Sequence, residues 1–390
     1  MAWEDASTLT ERFAHVWELL HGVLPRRRHL GDTYQGFAKA LLRHGDALVD
    51  RVKQHLRQES GLRLGRWLLR FGVEPVAIDG SKFDAPRTAG NEHELGVWGQ
   101  PGSHPQMTVT TAWHMGTGLP WDWRVGPARE AERTHLHQML GDLPQKCLLV
   151  TDAGFTGYQM LRTIIESGRD VLLRVGSNVT LLTGGQPHAH LRQAGGMVLL
   201  SRKDRPLEPP LKLRLIVVGS GRKKVYLVTS ITDPRRLSKA AASELYQMRW
   251  GVEVFYRQAK QTLERRKVRS ASPARAVQEM HWTLIGQWLL MLMTASRLGH
   301  AGKDPLRTGV AAAARTVRRW SRRLRARARP GSVYAELSRC VKDDTPRCGS
   351  KSSRGWPHKK NPPPPGQPRL RKARHAQLAA ARTLARRIQN

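Results

Sequence analysis

An α/β fold with a helical N-terminal region and a basic C-terminal extension is what the sequence predicts, on three observations. Residues 75–176 alternate β-rich runs with helical periods in the order three strands, helix, strand, helix, strand. Residues 177–236 carry four further β-rich runs, separated by glycine and proline turns and lacking a helical period between them. The charge is lopsided: 66 Lys+Arg stand against 31 Asp+Glu, a formal net charge of +35, and residues 311–390 hold 22 of the cations against 3 acidic residues.

Each element has a local reason. In residues 1–70, apolar positions recur at helical spacing over 9–20 and 34–49, punctuated by Pro25-Arg26-Arg27-Arg28. This helical region has two open readings, a small DNA-binding unit or a wrap on the next domain. Residues 76–79, 107–113 and 119–125 are β-rich, and Met115-Gly116-Thr117-Gly118 suits a tight turn between the last two. A helix is expected over 128–140, a buried strand over 147–151, a helix over 158–167 and a strand over 170–175. That order is the order of a ribonuclease-H-like core. Residues 177–236 then read as an all-β insertion, with strands at 179–182, 197–200, 211–218 and 224–230. Residues 237–300 return to core helices, one running from Ser238 towards Leu263 and one over 276–297. The extension, residues 301–390, contains an arginine-rich helix over 315–329 and a proline-rich linker from Asn361 to Gly366.

Composition narrows the functional classes. Hydrophobic content of 39% is enough for a core, which excludes a disordered polycation. So large a cationic excess calls for a polyanion, because clustered Lys and Arg release the counterions condensed on nucleic acid; acidic membranes are the competitor. The first residues have neither the basic nor the apolar region of a secretory signal, and three cysteines without paired spacing fit a reducing compartment, so a cytoplasmic, nucleoid-associated protein is expected. The strongest apolar run, residues 282–295, is shorter than the roughly 20 residues of a membrane span and reads as a buried core helix.

Chemistry concentrates at Tyr246, Arg249, Glu253 and Lys260. On a straight α-helix these offsets fall within an arc of about 60° along a stripe of about 21 Å. Two further carboxylates stand at strand ends, Asp79 after the first strand and Asp152 after the fourth. First and fourth strands are neighbours in a ribonuclease-H-like sheet, so Asp79 and Asp152 are expected at one edge, with Glu253 arriving from the following helix. Three carboxylates suit two Mg²⁺ ions, which take hard oxygen ligands and assist in-line phosphoryl displacement; Mn²⁺ is the natural substitute. Other candidates are weaker: His188 and His190, His135 and His137, and Cys340, Cys348 and His358 lack ligand spacing and read as structural or solvated.

The Tyr-x2-Arg-x3-Glu-x6-Lys spacing, preceded by Asp79-Gly80-Ser81 and Asp152-x-Gly154-Phe155, resembles the bacterial DDE transposases of the insertion-sequence-four type with their YREK signature. Arg249-Trp250, Phe255, Pro86, Thr88 and Asn91 fit the surroundings, and the resemblance covers about residues 75–300. It implies Asp79, Asp152 and Glu253 as catalytic metal ligands, with Tyr246, Arg249 and Lys260 holding phosphates at the element terminus. It implies cut-and-paste transposition: phosphodiester hydrolysis at insertion-sequence ends, then strand transfer into target DNA. The partners implied are double-stranded DNA, both terminal inverted repeats and target, and a second copy of the chain when two ends are synapsed. In that family the insertion can carry a tryptophan that receives a flipped base. Here no tryptophan lies between Asp152 and Trp250, and Tyr226 is the substitute. Two other functions remain open, a ribonuclease-H-like nuclease or resolvase without strand transfer, and a catalytically silent DNA-binding descendant of a transposase.

Overall fold

The run Val76-Ala77-Ile78 is fully buried and opens the strand that organises the first half of the chain. In the computed structural model, which describes residues 1–23, 31–99, 102–202, 204–205, 208–221, 224–326, 328, 331–342 and 366–389, the chain divides into two units. The first comprises Met1–Arg70, Glu74–Leu143 and Trp250–Lys342; the second comprises Phe71–Val73, Pro144–Arg249 and Asp343–Asn390.

In the first unit, β1 (Glu74–Asp84), β2 (Gln106–His114) and β3 (Leu119–Pro127) form an antiparallel meander. The expected tight turn forms between β2 and β3, and of its two glycines Gly118 takes a left-handed conformation, at φ 72°. One expectation is corrected here: Asp79 does not end its strand. The β1–β2 ladder continues from Val76↔His114 through Asp79↔Thr111 to Asp84↔Gln106, because the polar run after Asp79 keeps its backbone pairing while only its side chains become half-exposed. Helices α1 (Leu9–Val23), α2 (Tyr34–Leu64), α3 (Ala89–Glu94) and α4 (Glu132–Met139) belong to this unit, as do α8 (Trp250–Arg257), α9 (Pro273–His300), α10 (Val310–Arg325) and α11 (Val333–Leu337).

The apolar run over 282–295 lies inside α9, which buries Leu284, Trp288, Leu292 and Ala295. Among the described residues no helix is long and apolar enough to cross a membrane. The 31-residue α2 packs along α9 and reaches β3. Its Lys53, buried, donates to Asp122 Oδ1 at 2.7 Å and to the Trp123 carbonyl at 2.9 Å, and its ammonium lies 4.3 Å from the Trp123 ring. These contacts fasten α2 to α9 and β3 within the first unit. The Pro25-Arg26-Arg27-Arg28 punctuation lies outside the described residues.

In the second unit, β4 (Cys147–Thr151) and β5 (Asp170–Val175) are parallel and joined through α5 (Tyr158–Glu166). Antiparallel strands continue outward from β5: β9 (Val225–Thr229), β8 (Leu211–Val218), β7 (Gly196–Leu200) and β6 (Thr180–Thr183). The insertion is not all-β. Between β6 and β7 lies α6 (His188–Ala194), two turns with only Leu191 buried, too short to print a helical period on the sequence. It carries His188 and His190. The helix α7 (Lys239–Met248) closes this part of the unit.

The basic extension is also more than a tail. Its arginine-rich part is α10, amphipathic, with Val310, Ala313, Ala314 and Val317 buried. The proline-rich linker, apart from Gly366, lies outside the described residues, as do Cys348 and His358. Beyond it, β10 (Arg369–Lys372) adds in parallel to β6, and α12 (His375–Gln389) packs over the sheet. The four-residue β10 has no local sequence signal strong enough to announce it, whereas α12, rich in Ala, Leu, Arg and Gln, has the composition of a helix.

Candidate active site

The straight helix expected from Ser238 to Leu263 does not form as such. The ladder changes at Arg249, which keeps helical dihedrals (φ −49°, ψ −33°) and donates to the Leu245 carbonyl but stands between α7 and α8. After Arg257 the chain widens into a π-helical turn over Gln258–Thr262. The four motif residues therefore do not sit on one uniform 3.6-residue helix. Tyr246 and Arg249 belong to the second unit, Glu253 and Lys260 to the first. Insertion of a π turn within a helix is a frequent device for re-aiming a functional side chain.

In the first unit, α8, which carries Glu253, packs on β1, which carries Asp79, and on β2. The Tyr256 hydroxyl, on α8, donates between the carbonyls of Asp79 at 2.8 Å and Val109 at 3.0 Å. Glu253 precedes Tyr256 by three residues and shares its helix face. The helix that carries Glu253 is thus tied by hydrogen bond to the peptide of Asp79. Burial lifts the Tyr256 phenol well above its ordinary range, and the Asp79 and Glu132 carboxylates push the same way, so it stays a donor.

Two close approaches fix the helix. Gly251 faces the indole of Trp113 on β2, where an ideal Cβ would lie 2.1 Å from Cη2. Gln287, buried on α9, donates to the Phe255 carbonyl at 3.0 Å. On the π turn, Lys260 donates to Ser81 Oγ at 2.8 Å, two residues beyond Asp79, and its ammonium stands 4.8 Å from the Phe83 ring. Burial draws its pKa down, partly offset by Asp84.

One carboxylate was missed by reading the sequence. Glu132 opens α4 and lies flat on the backbone of Gly80, where an ideal Cβ would come within 2.2 Å of its Oε1. The signal was Gly80 itself, since glycine inside a strand marks a place where another group approaches closely.

In the second unit, Asp152 follows β4 directly, as expected, and its Oδ1 accepts from the Gly154 amide at 2.8 Å in the Asp-x-Gly turn. The Arg249 guanidinium lies 5.7 Å from the Tyr246 ring centre. Burial raises the Tyr246 pKa; Arg249 and Arg174 oppose the shift and Asp152 adds to it. Tyr246, Arg249, Arg174 and Asp152 therefore form one electrostatic neighbourhood. Tyr226, the substitute for a base-stacking tryptophan, is 3% exposed on β9 and has no open ring face for a base.

The candidate donors Asp79, Asp152 and Glu253 are all carboxylates, the hard oxygen type that Mg²⁺ takes, so the donor chemistry fits. Among the described residues, no group of three or more His, Cys, Asp or Glu is gathered as a ready-made ion cage.

A family model described as "Transposase DDE domain" matches residues 72–289, a span that contains all six sequence candidates. Over 223 residues the chain is 25% identical to the transposase InsG for insertion sequence element IS4 of Escherichia coli (strain K12), a match covering 55% of this chain and 50% of that protein. The chain thus spans about half the length of this relative. A solved structure, the cryo-EM piggyBac transposase synaptic complex with hairpin DNA, aligns with 73% of this chain and 60% of its own at 12% identity and a TM-score of 0.43.

Proposed function

This chain belongs to the transposase DDE domain family, of the insertion-sequence-four type, and from that membership we propose that it is a DNA transposase that hydrolyses the phosphodiester at element ends and joins the freed 3′-hydroxyl to target DNA. Asp79, Asp152 and Glu253 hold two Mg²⁺ ions on a ribonuclease-H-like core. Bound there, the ions supply charge stabilisation to the attacking and leaving oxygens of an in-line displacement. The chain's own task is positioning. The Tyr256 hydroxyl holds the Glu253 helix to the Asp79 peptide, and this tie is the observation that most supports the reading.

Arg249 offers a planar fork to a phosphate beside Asp152 and Tyr246. Lys260 has three donor hydrogens, so it can keep Ser81 and still reach a phosphate. The same reading makes duplex DNA the partner, with terminal inverted repeats and target as substrates, and a homodimer the working form at two synapsed ends. A cytoplasmic, nucleoid-associated location follows from that substrate.

The test uses purified full-length protein, duplexes carrying the terminal sequences that flank the gene, and Mg²⁺. The expected outcome is cleavage at the ends and joined product, with Asp79→Ala, Asp152→Ala and Glu253→Ala each abolishing cleavage while duplex binding persists. Cleavage without joined product would favour the nuclease or resolvase reading. Binding without cleavage would favour the silent descendant.

A further inference from the structure

The strands and helices of the outer part of the second unit carry no acid; Asp204 and Glu208 stand in the loop between β7 and β8. Residues 177–200, 211–229 and 366–390, which build β6 to β10, α6 and α12, contain no aspartate or glutamate. Sheet and helix are joined by an apolar seam of Leu182, Leu199, Ala373, Leu378 and Ala381. On the flank of α12 beside that seam, His375, Arg382 and Arg386 are exposed. Their spacing puts them within an arc of about 40° and spreads them over about 16 Å. On the edge strand β10, Arg371 pairs with Leu182, which belongs to the seam, so Arg371 and Arg369 lie on the sheet face that α12 covers, and both are exposed. An edge strand and the helix that follows it thus both carry exposed arginines, with no Asp or Glu in these segments to neutralise them.

We propose that β10 and α12 form a track for the phosphate backbone of duplex DNA, separate from the candidate active site and indifferent to base sequence. The inference rests on the transposase reading for its choice of polyanion and names a surface that holds DNA away from the reacting ends. Arginine here matches phosphate through its bidentate fork. The rival role for these cations is to keep an edge strand from pairing with another chain, which requires charge but no ligand.

The experiment measures binding of a random 20-base-pair duplex in EDTA across about 50–300 mM salt. Each phosphate contact removed lowers the slope of log K against log salt by about 0.9, so the full-length variant Arg369→Gln/Arg371→Gln/Arg382→Gln/Arg386→Gln should lose about 2 to 4 from the slope and bind at least about tenfold more weakly at fixed salt. A charge-matched control replaces Arg63, Arg87, Arg162 and Arg235 by Gln; each is paired with a carboxylate, at 2.6, 2.7, 2.7 and 3.0 Å respectively. The control should retain the wild-type slope, as should the quadruple Arg→Lys version of the track.

An unchanged slope in the Gln variant overturns the proposal. So does an equal loss in the control, which would make net charge the cause, or an equal loss in the Lys version, which would make folding the cause. Loss of binding only to phosphatidylserine vesicles, with DNA binding intact, would assign the surface to a membrane instead. Because EDTA removes cleavage from the readout, wild type that fails to cut element ends while the slopes differ as stated sinks the enzyme reading and leaves the track standing. The converse result sinks the track alone.

Discussion

Gly251→Ala should both destabilise the chain and displace the Glu253 helix. The added Cβ would stand 2.1, 2.5 and 2.8 Å from three indole carbons of Trp113, a side chain only 6% exposed on β2. Carbon atoms prefer separations of about 3.5–4.0 Å, so α8 or the indole must give way by more than about 1 Å. Overpacking of this kind costs about 1–3 kcal/mol, and a rigid buried ring puts it near the top of that range. Replacing a helical glycine returns about 1 kcal/mol, leaving a net loss of about 2 kcal/mol. Glu253 lies two residues on and moves with the helix, and a misplacement of about 1 Å can cost about 100-fold in rate.

Urea unfolding gives the stability change and single-turnover cleavage of a terminal duplex gives the rate. In the Trp113→Phe background the smaller ring leaves room, so the alanine should cost less there, with a coupling energy of about 0.5–3 kcal/mol. A Gly251→Ala protein as stable as wild type, or more stable, with undiminished cleavage would refute the reasoning.

Three further outcomes are expected. Lys53→Met should cost about 3–5 kcal/mol in urea unfolding, because it removes the buried ammonium 2.7 Å from the buried Asp122 carboxylate; a loss under about 1 kcal/mol would mean that Arg124, Arg57 and the Trp123 amide satisfy Asp122 without it. His281 accepts from the Trp123 indole at 2.9 Å and its pKa is held down at about 3 by burial, with Lys53 and Arg124 adding to the effect. The unfolded chain therefore binds the extra proton first as pH falls: the contribution is whole above about pH 6.5 and declines towards pH 3 by about 1.4 kcal/mol per unit. His281→Gln should flatten that acid limb, and parallel limbs in the two proteins would argue against it. Arg249→Lys should fail to restore the cleavage lost in Arg249→Ala, since a point charge does not replace a planar fork; full recovery would reduce Arg249 to a screened surface cation.

Most strands and helices between Val76 and Val175 are legible from strong local patterns, an apolar run at Val76-Ala77-Ile78, another at Cys147–Thr151 and glycines in the β2–β3 turn, whereas the short α3 and the polar second half of β1 are not. What failed was the assumption of uniformity. A straight helix was assumed through Tyr246, Arg249, Glu253 and Lys260, whereas the ladder shifts at Arg249 and widens into a π turn at Gln258. Periodicity arguments are blind to such a change because they presuppose one period. The pairing of β10 with β6 joins segments nearly half the chain apart, Arg369 with Thr180, and no local pattern encodes it. The proposed ligands Asp79, Asp152 and Glu253 rest on residue type and spacing. The Tyr256 tie and the Glu132 approach at Gly80 are contacts between elements distant in sequence, visible only once the helices are docked.

The claim at the centre is that Asp79, Asp152 and Glu253 act as one metal site on DNA. Manganese binding to the complex with a terminal duplex, followed by electron paramagnetic resonance, tests it most directly for wild type and for Asp79→Asn, Asp152→Asn and Glu253→Gln. The expected result is tight binding of two ions by wild type and loss of at least one in each variant, with the duplex still bound. Undiminished binding of both ions in any one of the three would remove that carboxylate from the site and contradict the account.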